Sequence, residues 1–293
     1  MKPKPTGRTA SSRTRADEKA PKRPRRADGR PIKRIPKPGD QTGQKPLGYQ
    51  IQEPTRLNRF IAQCGVTSRR KADELIASGI VKVNGEVVTE LGTIIQPDDR
   101  VTLNNKPLTP QPYLYILLNK PMDAITTVED EKGRRTVMDL VELPDEEKVR
   151  LYPVGRLDRD TIGALLITND GELANRLMHP SYEIEKYYLV ETEENVKPSD
   201  LEKLKKGIEL EDGWATMDEV SYLNPDIRNL LGVMLHEGKN RQIRRMIEAI
   251  GHQVRALERV RYASLTCAGL RRGRWRHLTP AEVRRIKHMV RLK

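Results

Sequence analysis

Nine of the chain's twenty prolines fall within its first 54 residues, scattered among basic clusters such as Lys22-Arg23-Pro24-Arg25-Arg26. Proline has no amide hydrogen to give to a helix or a ladder, and this stretch has a single aromatic, Tyr49, to bury. Its apolar surface is too small to offset the conformational entropy of ordering it. Residues 1–54 are therefore read as a disordered basic tail. Whatever folds in this 293-residue chain must be built from residue 55 onward. With 15 Lys and Arg against 5 Asp and Glu, the tail suits an electrostatic arm for a polyanion. A merely solubilising tail, or a nuclear or organelle address, are the other readings.

Charge is unevenly partitioned along the rest. The net charge is +2 over 55–112, −11 over 113–235 and +12 over 236–293. A basic tail, an acidic middle and a basic end point to a polyanionic partner met by selected surfaces, and leave RNA, DNA and acidic membranes open. No apolar run approaches the roughly 18 residues of a membrane span, and no secretory signal is visible, so a soluble, cytoplasmic protein is expected. Two cysteines, Cys64 and Cys267, make neither a disulfide framework nor a cysteine zinc site. The five histidines show no metal-binding spacing, and GxGxxG and GxxxxGK[ST] are both absent. Neither a metal nor a cofactor is expected.

Residues 55–112 read as one small unit. Leu57, Phe60 and Ile61 have the spacing of a helix burying one face. Ser68 stands where a second helix needs its N-cap, and Gly79 ends that helix. Asn84-Gly85 between valines is a hairpin signal, and a strand from Arg100 to Leu103 follows. The proline-bearing segment 106–112 reads as a linker. Beyond it, strands are expected over Tyr113–Leu118, Ala164–Thr168 and Lys186–Glu191. Helices are expected over Glu172–Met178, Pro198–Lys206, Asn240–Ile250 and Pro280–Arg291. Strands mixed with helices without a regular βαβ beat imply an α+β fold for 113–293.

Three stretches there are able to carry chemistry. From Gly155-Arg156-Leu157-Asp158-Arg159-Asp160, a charged loop runs into an apolar strand, a placement that favours function. Composition alone favours Asp158 and Asp160 as caps of backbone amides or partners of Arg156 and Arg159. In Lys186-Tyr187-Tyr188 the two tyrosines must point to opposite faces of a strand, so one at most looks into a given cleft. In Lys239-Asn240-Arg241-Gln242-Ile243-Arg244-Arg245, a loop enters a helix among basic side chains, which suits phosphate binding or a solvated face.

Taken in order, these stretches resemble the RsuA-type ribosomal pseudouridine synthases. The resemblance rests on Gly155-Arg156-Leu157-Asp158 with Thr161, Gly163 and Thr168-Asn169-Asp170-Gly171. Asn119-Lys120-Pro121 lies upstream of these, and Lys186-x-Tyr188, the Lys239–Arg245 stretch and Arg272–Thr279 follow. Residues 55–112, with Arg56-Leu57-Asn58 and Ser68-Arg69-Arg70, are similar to the S4 RNA-binding domain that this family carries N-terminally. Ala164 stands where the family has a larger aliphatic residue, and the tail has no counterpart in the pattern.

The resemblance implies isomerisation of a uridine in ribosomal RNA without a cofactor. Asp158 is the implied nucleophile or base. Arg244 is its implied partner, Tyr188 stacks on the uracil, and Arg156 holds the target nucleotide out of its stack. Asp160 and Asp170 read as turn and cap residues. Arg56, Asn58, Arg59, Arg69, Arg70 and Lys71, with Lys239, Arg241 and Arg245, are the implied RNA contacts. Within the family, the B-type branch of the large ribosomal subunit is most similar. It implies 23S rRNA or a ribosomal-subunit precursor as the partner of a monomer, with 16S rRNA as the alternative. A non-catalytic assembly factor is the reading from another class. A DNA-binding regulator lacks the helix-turn-helix pattern.

Overall fold

The computed structural model describes residues 53–292 apart from 145, 146 and 148, so nearly all of the expected tail lies outside the described residues. The small unit forms as its local signals direct. Helices Leu57–Gln63 and Arg69–Ala77 pack together, the second capped by the Ser68 hydroxyl, which accepts from the Lys71 amide. Strands Val81–Val83 and Glu86–Val87 pair through Asn84 and Gly85, whose φ values of 53° and 93° are those a two-residue hairpin loop requires. Val101–Leu103 completes the sheet on the other side of Val81–Val83. The expected linker differs at its start: Lys106–Pro107 is a fourth strand, paired with Thr102 and Leu103, and only the residues after it connect. Leu57, Phe60, Ile61, Ala72, Ile76, Val81, Ile95 and Val101 form the core.

The larger unit is α+β, as expected. Its central sheet runs in the order Glu219–Asn224, Ile227–Leu235, Lys186–Thr192, Val254–Tyr262, Ile162–Thr168, Tyr115–Lys120, Trp275–His277. Every neighbouring pair along it is antiparallel except Val254–Tyr262 with Ile162–Thr168. That parallel joint holds at two register positions only, Glu258 with Ile162 and Arg259 with Gly163. It divides the sheet into two leaves.

Alternation on the central strands feeds a core on each face. Leu118, Leu165, Ile167 and Val190 face one way, against Leu201 and Leu204 of helix Pro198–Lys206 and Ile243, Met246 and Ile247 of helix Gln242–Ala249. Leu117 and Leu166 face the other, against Leu173 and Leu177 of helix Gly171–Met178 and Ile286 of helix Pro280–Met289. Each such burial contributes roughly 1.5–3 kcal/mol before entropy is counted. Asp170 caps its helix at Leu173 N (3.1 Å) and takes the Tyr115 hydroxyl at 2.8 Å. Thr279 and Glu282 form a capping box around Pro280.

The two units are joined by polar contacts. Arg59 Nη2 meets Glu172 Oε2 at 2.7 Å, and Gln63 Nε2 donates to the Tyr113 hydroxyl at 2.9 Å. No helix among the described residues is long and apolar enough to cross a membrane.

Candidate active site

The Asp158 loop lies at the joint between the leaves. It leaves strand Tyr152–Pro153 through Gly155 (φ 75°) and enters strand Ile162–Thr168. Its backbone is pinned from below by buried groups. The Thr126 hydroxyl donates to Leu157 O (2.7 Å) and accepts from Leu157 N (3.2 Å). Lys120, fully buried, donates through Nζ to Thr161 O (2.7 Å), Pro121 O (3.1 Å) and Arg159 O (3.2 Å). A turn bond from Thr161 N to Asp158 O closes the loop. With its backbone held this way, the loop projects Asp158, Asp160 and the exposed Arg156 and Arg159 outward.

The Asp158 carboxylate is one-third exposed, and the group nearest it differs from expectation. Arg241 Nη1 lies 3.7 Å from Asp158 Oδ2 and 3.6 Å from Asp160 Oδ1. Arg244 does not pair with Asp158. Its Nη2 is bonded to Asp160 Oδ2 at 3.0 Å and to Asp160 O at 3.2 Å, and its Nη1 donates to Val254 O. The helix starts at Gln242, so Arg244 lies in its first turn, buried beneath the loop. Arg241 precedes the helix in a left-handed conformation (φ 46°, ψ 33°), unusual for a residue with a side chain, and reaches both carboxylates. Asp160, read as a turn residue, is thus the shared anion of both arginines.

The second leaf contributes Tyr188, on the sheet face opposite Tyr187 and beside Val233 and Arg259 in register. Its ring belongs to the first core and is only 8% exposed. Two residues earlier, Lys186 Nζ donates to His236 O and to Glu237 O (3.2 Å), tying this strand to the loop that carries Arg241. Arg259 is buried where the leaves part. Its Nε donates to Ala164 O at 2.8 Å and its guanidinium lies 4.6 Å from the Tyr262 ring centroid. Burial pulls the Lys120 ammonium down to about 8, against the opposing pull of Asp160, Asp158 and Asp123. Lys186 is likewise pulled down to about 8, by burial and the like charge of Arg259, against Asp218 and Glu237.

Several cations expected to meet RNA are engaged within the protein. Arg245 grips Asp212 with two bonds (2.8 and 2.9 Å), and Lys239 Nζ donates to Trp214 O (2.6 Å) and Asp212 O (3.2 Å). Lys239 thereby fastens hairpin Ile208–Ala215 to the Arg241 loop, and Arg245 fastens it to helix Gln242–Ala249. In the small unit Arg59 is engaged by Glu172, and the Asn58 amide donates to Asp73 across the two helices. Arg56, Arg69, Arg70 and Lys71 are exposed.

Known families match both folded units. The RNA pseudouridylate synthase family model matches residues 114–249, and the S4 domain model residues 55–101. The chain is 46% identical over 240 residues to ribosomal large subunit pseudouridine synthase B of Bacillus subtilis (strain 168), covering 80% of this chain and 96% of that protein. It is 42% identical over 242 residues to an uncharacterized RNA pseudouridine synthase of Aquifex aeolicus (strain VF5), covering 81% and 96%. A crystal structure of a pseudouridylate synthase superposes with a TM-score of 0.56 at 28% identity, over 79% of this chain and 99% of that one.

Proposed function

The chain belongs to the RNA pseudouridylate synthase family, and from that premise we propose that it converts one uridine of 23S ribosomal RNA to pseudouridine, with Asp158 initiating the reaction. It acts as a cytoplasmic monomer on free ribosomal RNA or on a precursor of the large subunit. The reaction breaks the N1–C1′ bond, turns the uracil and joins C5 to C1′. The C5 proton is lost and N1 ends protonated, so no electrons are exchanged and no group donor is consumed. The observation that carries the reading is a part-exposed carboxylate on a loop pinned through its backbone, with Arg241 at its rim and Arg244 beneath the loop. Asp158 acts as nucleophile or as the base that starts glycosidic cleavage. Arg241 stands beside it, while Arg244 acts through Asp160 to hold the loop. Tyr188 presents its small exposed edge as the wall against which the uracil rests. Arg156 and the exposed cations of the S4 domain steady the RNA backbone.

Mapping pseudouridines in ribosomal RNA from cells lacking this protein tests the proposal. Loss of one 23S pseudouridine, restored by the wild-type chain, is the expected result. Loss from 16S RNA instead would move the substrate to the small ribosomal subunit. An unchanged map would leave only a binding role.

The buried lysines add a pH signature. Neutral amines have fewer N–H groups for the carbonyls that Lys120 and Lys186 hold, so conversion should decline as pH rises through about 8. The stability contribution runs the other way. Each lysine's folded value lies below its ordinary 10.5, so between 8 and 10.5 the unfolded chain holds more protons. Raising pH through that window relieves the cost of burying the charge. Rate–pH profiles and urea unfolding over pH 7–10 check both halves. Lys120→Arg, which keeps its proton throughout, should move the alkaline limb upward; an unmoved limb would detach Lys120 from the activity.

A further inference from the structure

A groove of about 790 Å³ contains none of the residues assigned above. Asn119, Tyr187 and Glu258 line it, and their chain neighbours Lys120, Tyr188 and Arg259 belong to the catalytic side. Adjacent residues on a strand face opposite ways. Three strands therefore place this groove on the reverse face of the sheet, directly behind the catalytic residues. Val260, Cys267, Ala268 and Leu270 give it an apolar lining around the Tyr187 ring.

Its rim is cationic. Arg261 lies 5.7 Å over the Tyr187 ring and pairs with Glu185 at 3.1 Å. Arg272 pairs with Glu258 and donates to Asn119 Oδ1 at 2.7 Å. Arg271 and the neighbouring Arg274 are exposed, and neither has an ion pair among the described residues. An aromatic face with an apolar floor and unneutralised guanidiniums at the edge suits a nucleobase with its phosphate. The groove also shares a border with the Asp158 loop. Gly273 abuts Pro121, and Asp123 N is bonded to Arg159 O, which Lys120 also holds. RNA leaving the Asp158 side therefore meets the exposed Arg159 and then the groove's rim.

We infer that this groove binds a nucleotide of the RNA other than the target uridine, its base against Tyr187 and its phosphate at Arg271. The inference rests on the function proposed above and adds a second anchoring point to it.

Two variants of the full-length protein test it, Arg271→Ala and the groove-filling Thr266→Trp. Both positions are exposed, so thermal melting serves as a control on folding. The substrate is an RNA fragment carrying the uridine identified by mapping. Arg271→Ala should weaken RNA binding several-fold and reduce the slope of log affinity against log salt by about 0.7, the value for one phosphate on a single strand. Thr266→Trp should raise KM about tenfold with kcat within twofold of wild type, as expected for loss of one stacked base away from the chemistry. RNA bearing 4-thiouridine at positions flanking the target should cross-link to peptides containing Tyr187 or Cys267. Wild-type KM and salt slope in both variants would overturn the inference. So would cross-linking of the groove to a ribosomal protein of a subunit precursor in place of RNA. Absence of conversion by the wild-type chain, with binding still weakened in both variants, would sink the proposed reaction and leave the groove standing.

Discussion

Asp158→Asn should bring uridine conversion below detection while leaving RNA affinity within a few-fold of wild type. The amide matches the carboxylate in shape, so the loop pinned by Lys120 and Thr126 has no reason to move. What disappears is the negative charge, and with it both chemistries open to the carboxylate: attack on the sugar carbon and removal of a proton. Loss of a group that acts as the reacting atom commonly costs on the order of 10⁴-fold or more in rate. Binding should persist because the cations proposed to meet RNA lie elsewhere, on the S4 domain and around the cleft. Asp160→Asn provides the contrast. Arg241 and Arg244 both converge on Asp160, so its loss should lower the rate through misplacement of the loop and leave measurable turnover. Single-turnover conversion and filter binding, run side by side, separate the two. Substantial activity in Asp158→Asn would overturn the assignment of the reacting group.

Gly163→Ala should be strongly destabilising for a change of a single methyl. Gly163 has φ of +108°, outside the range that residues with a Cβ readily adopt, and an added Cβ would lie 2.2 Å from Arg259 O. Backbone on the partner strand cannot swing aside as a side chain would. The two-residue parallel joint must widen, and Arg259 must loosen from Ala164 O. A cost on the order of 4 kcal/mol is expected. In a domain of this size that corresponds to roughly 10 °C in melting temperature. Gly155→Ala is the control, since Gly155 also has positive φ (+75°) but nothing within 4 Å of its would-be Cβ. It should cost only about 1 kcal/mol. Equal shifts in the two variants, measured by thermal or urea unfolding, would show that strand proximity is not what demands glycine at 163.

What could be read from the residues follows how local the causes are. Ser68, Asn84-Gly85 and the Pro280 helix start act within four residues of themselves, and all three features are present as expected. The opposition of Tyr187 and Tyr188 follows from strand geometry alone. The Arg244–Asp158 pair failed for a reason of one turn of chain. The helix begins at Gln242, and the left-handed Arg241 reaches Asp158 instead. The carboxylate partners of Arg59 and Arg245 were not legible because they lie 113 and 33 residues away, at Glu172 and Asp212. Lys120 carried a visible anomaly, a lone cation ending an apolar strand. Its purpose becomes legible only once a loop some 40 residues later folds over it. Gly163 has the same character: nothing near it in sequence requires a glycine, and Arg259 does.

The division of the central sheet also bears on the order in which the protein assembles. The leaf carrying Tyr188 is made of strands from one uninterrupted stretch, Lys186 to Tyr262, and it contains the hairpin of Glu219–Asn224 with Ile227–Leu235. The leaf that begins at the Asp158 loop brings together Tyr115–Lys120, Ile162–Thr168 and the late strand Trp275–His277. Pairings between near neighbours form sooner than those that close long loops. The first leaf is therefore the natural early structure, and the joint at Gly163, which pairs with Arg259 far along the chain, is a late one. Asp158 meets Arg241, and Asp160 meets Arg244, only when that joint closes. A newly made chain accordingly lacks the proposed reactive centre until that long-range pairing is complete, which would keep partly folded molecules from acting on RNA.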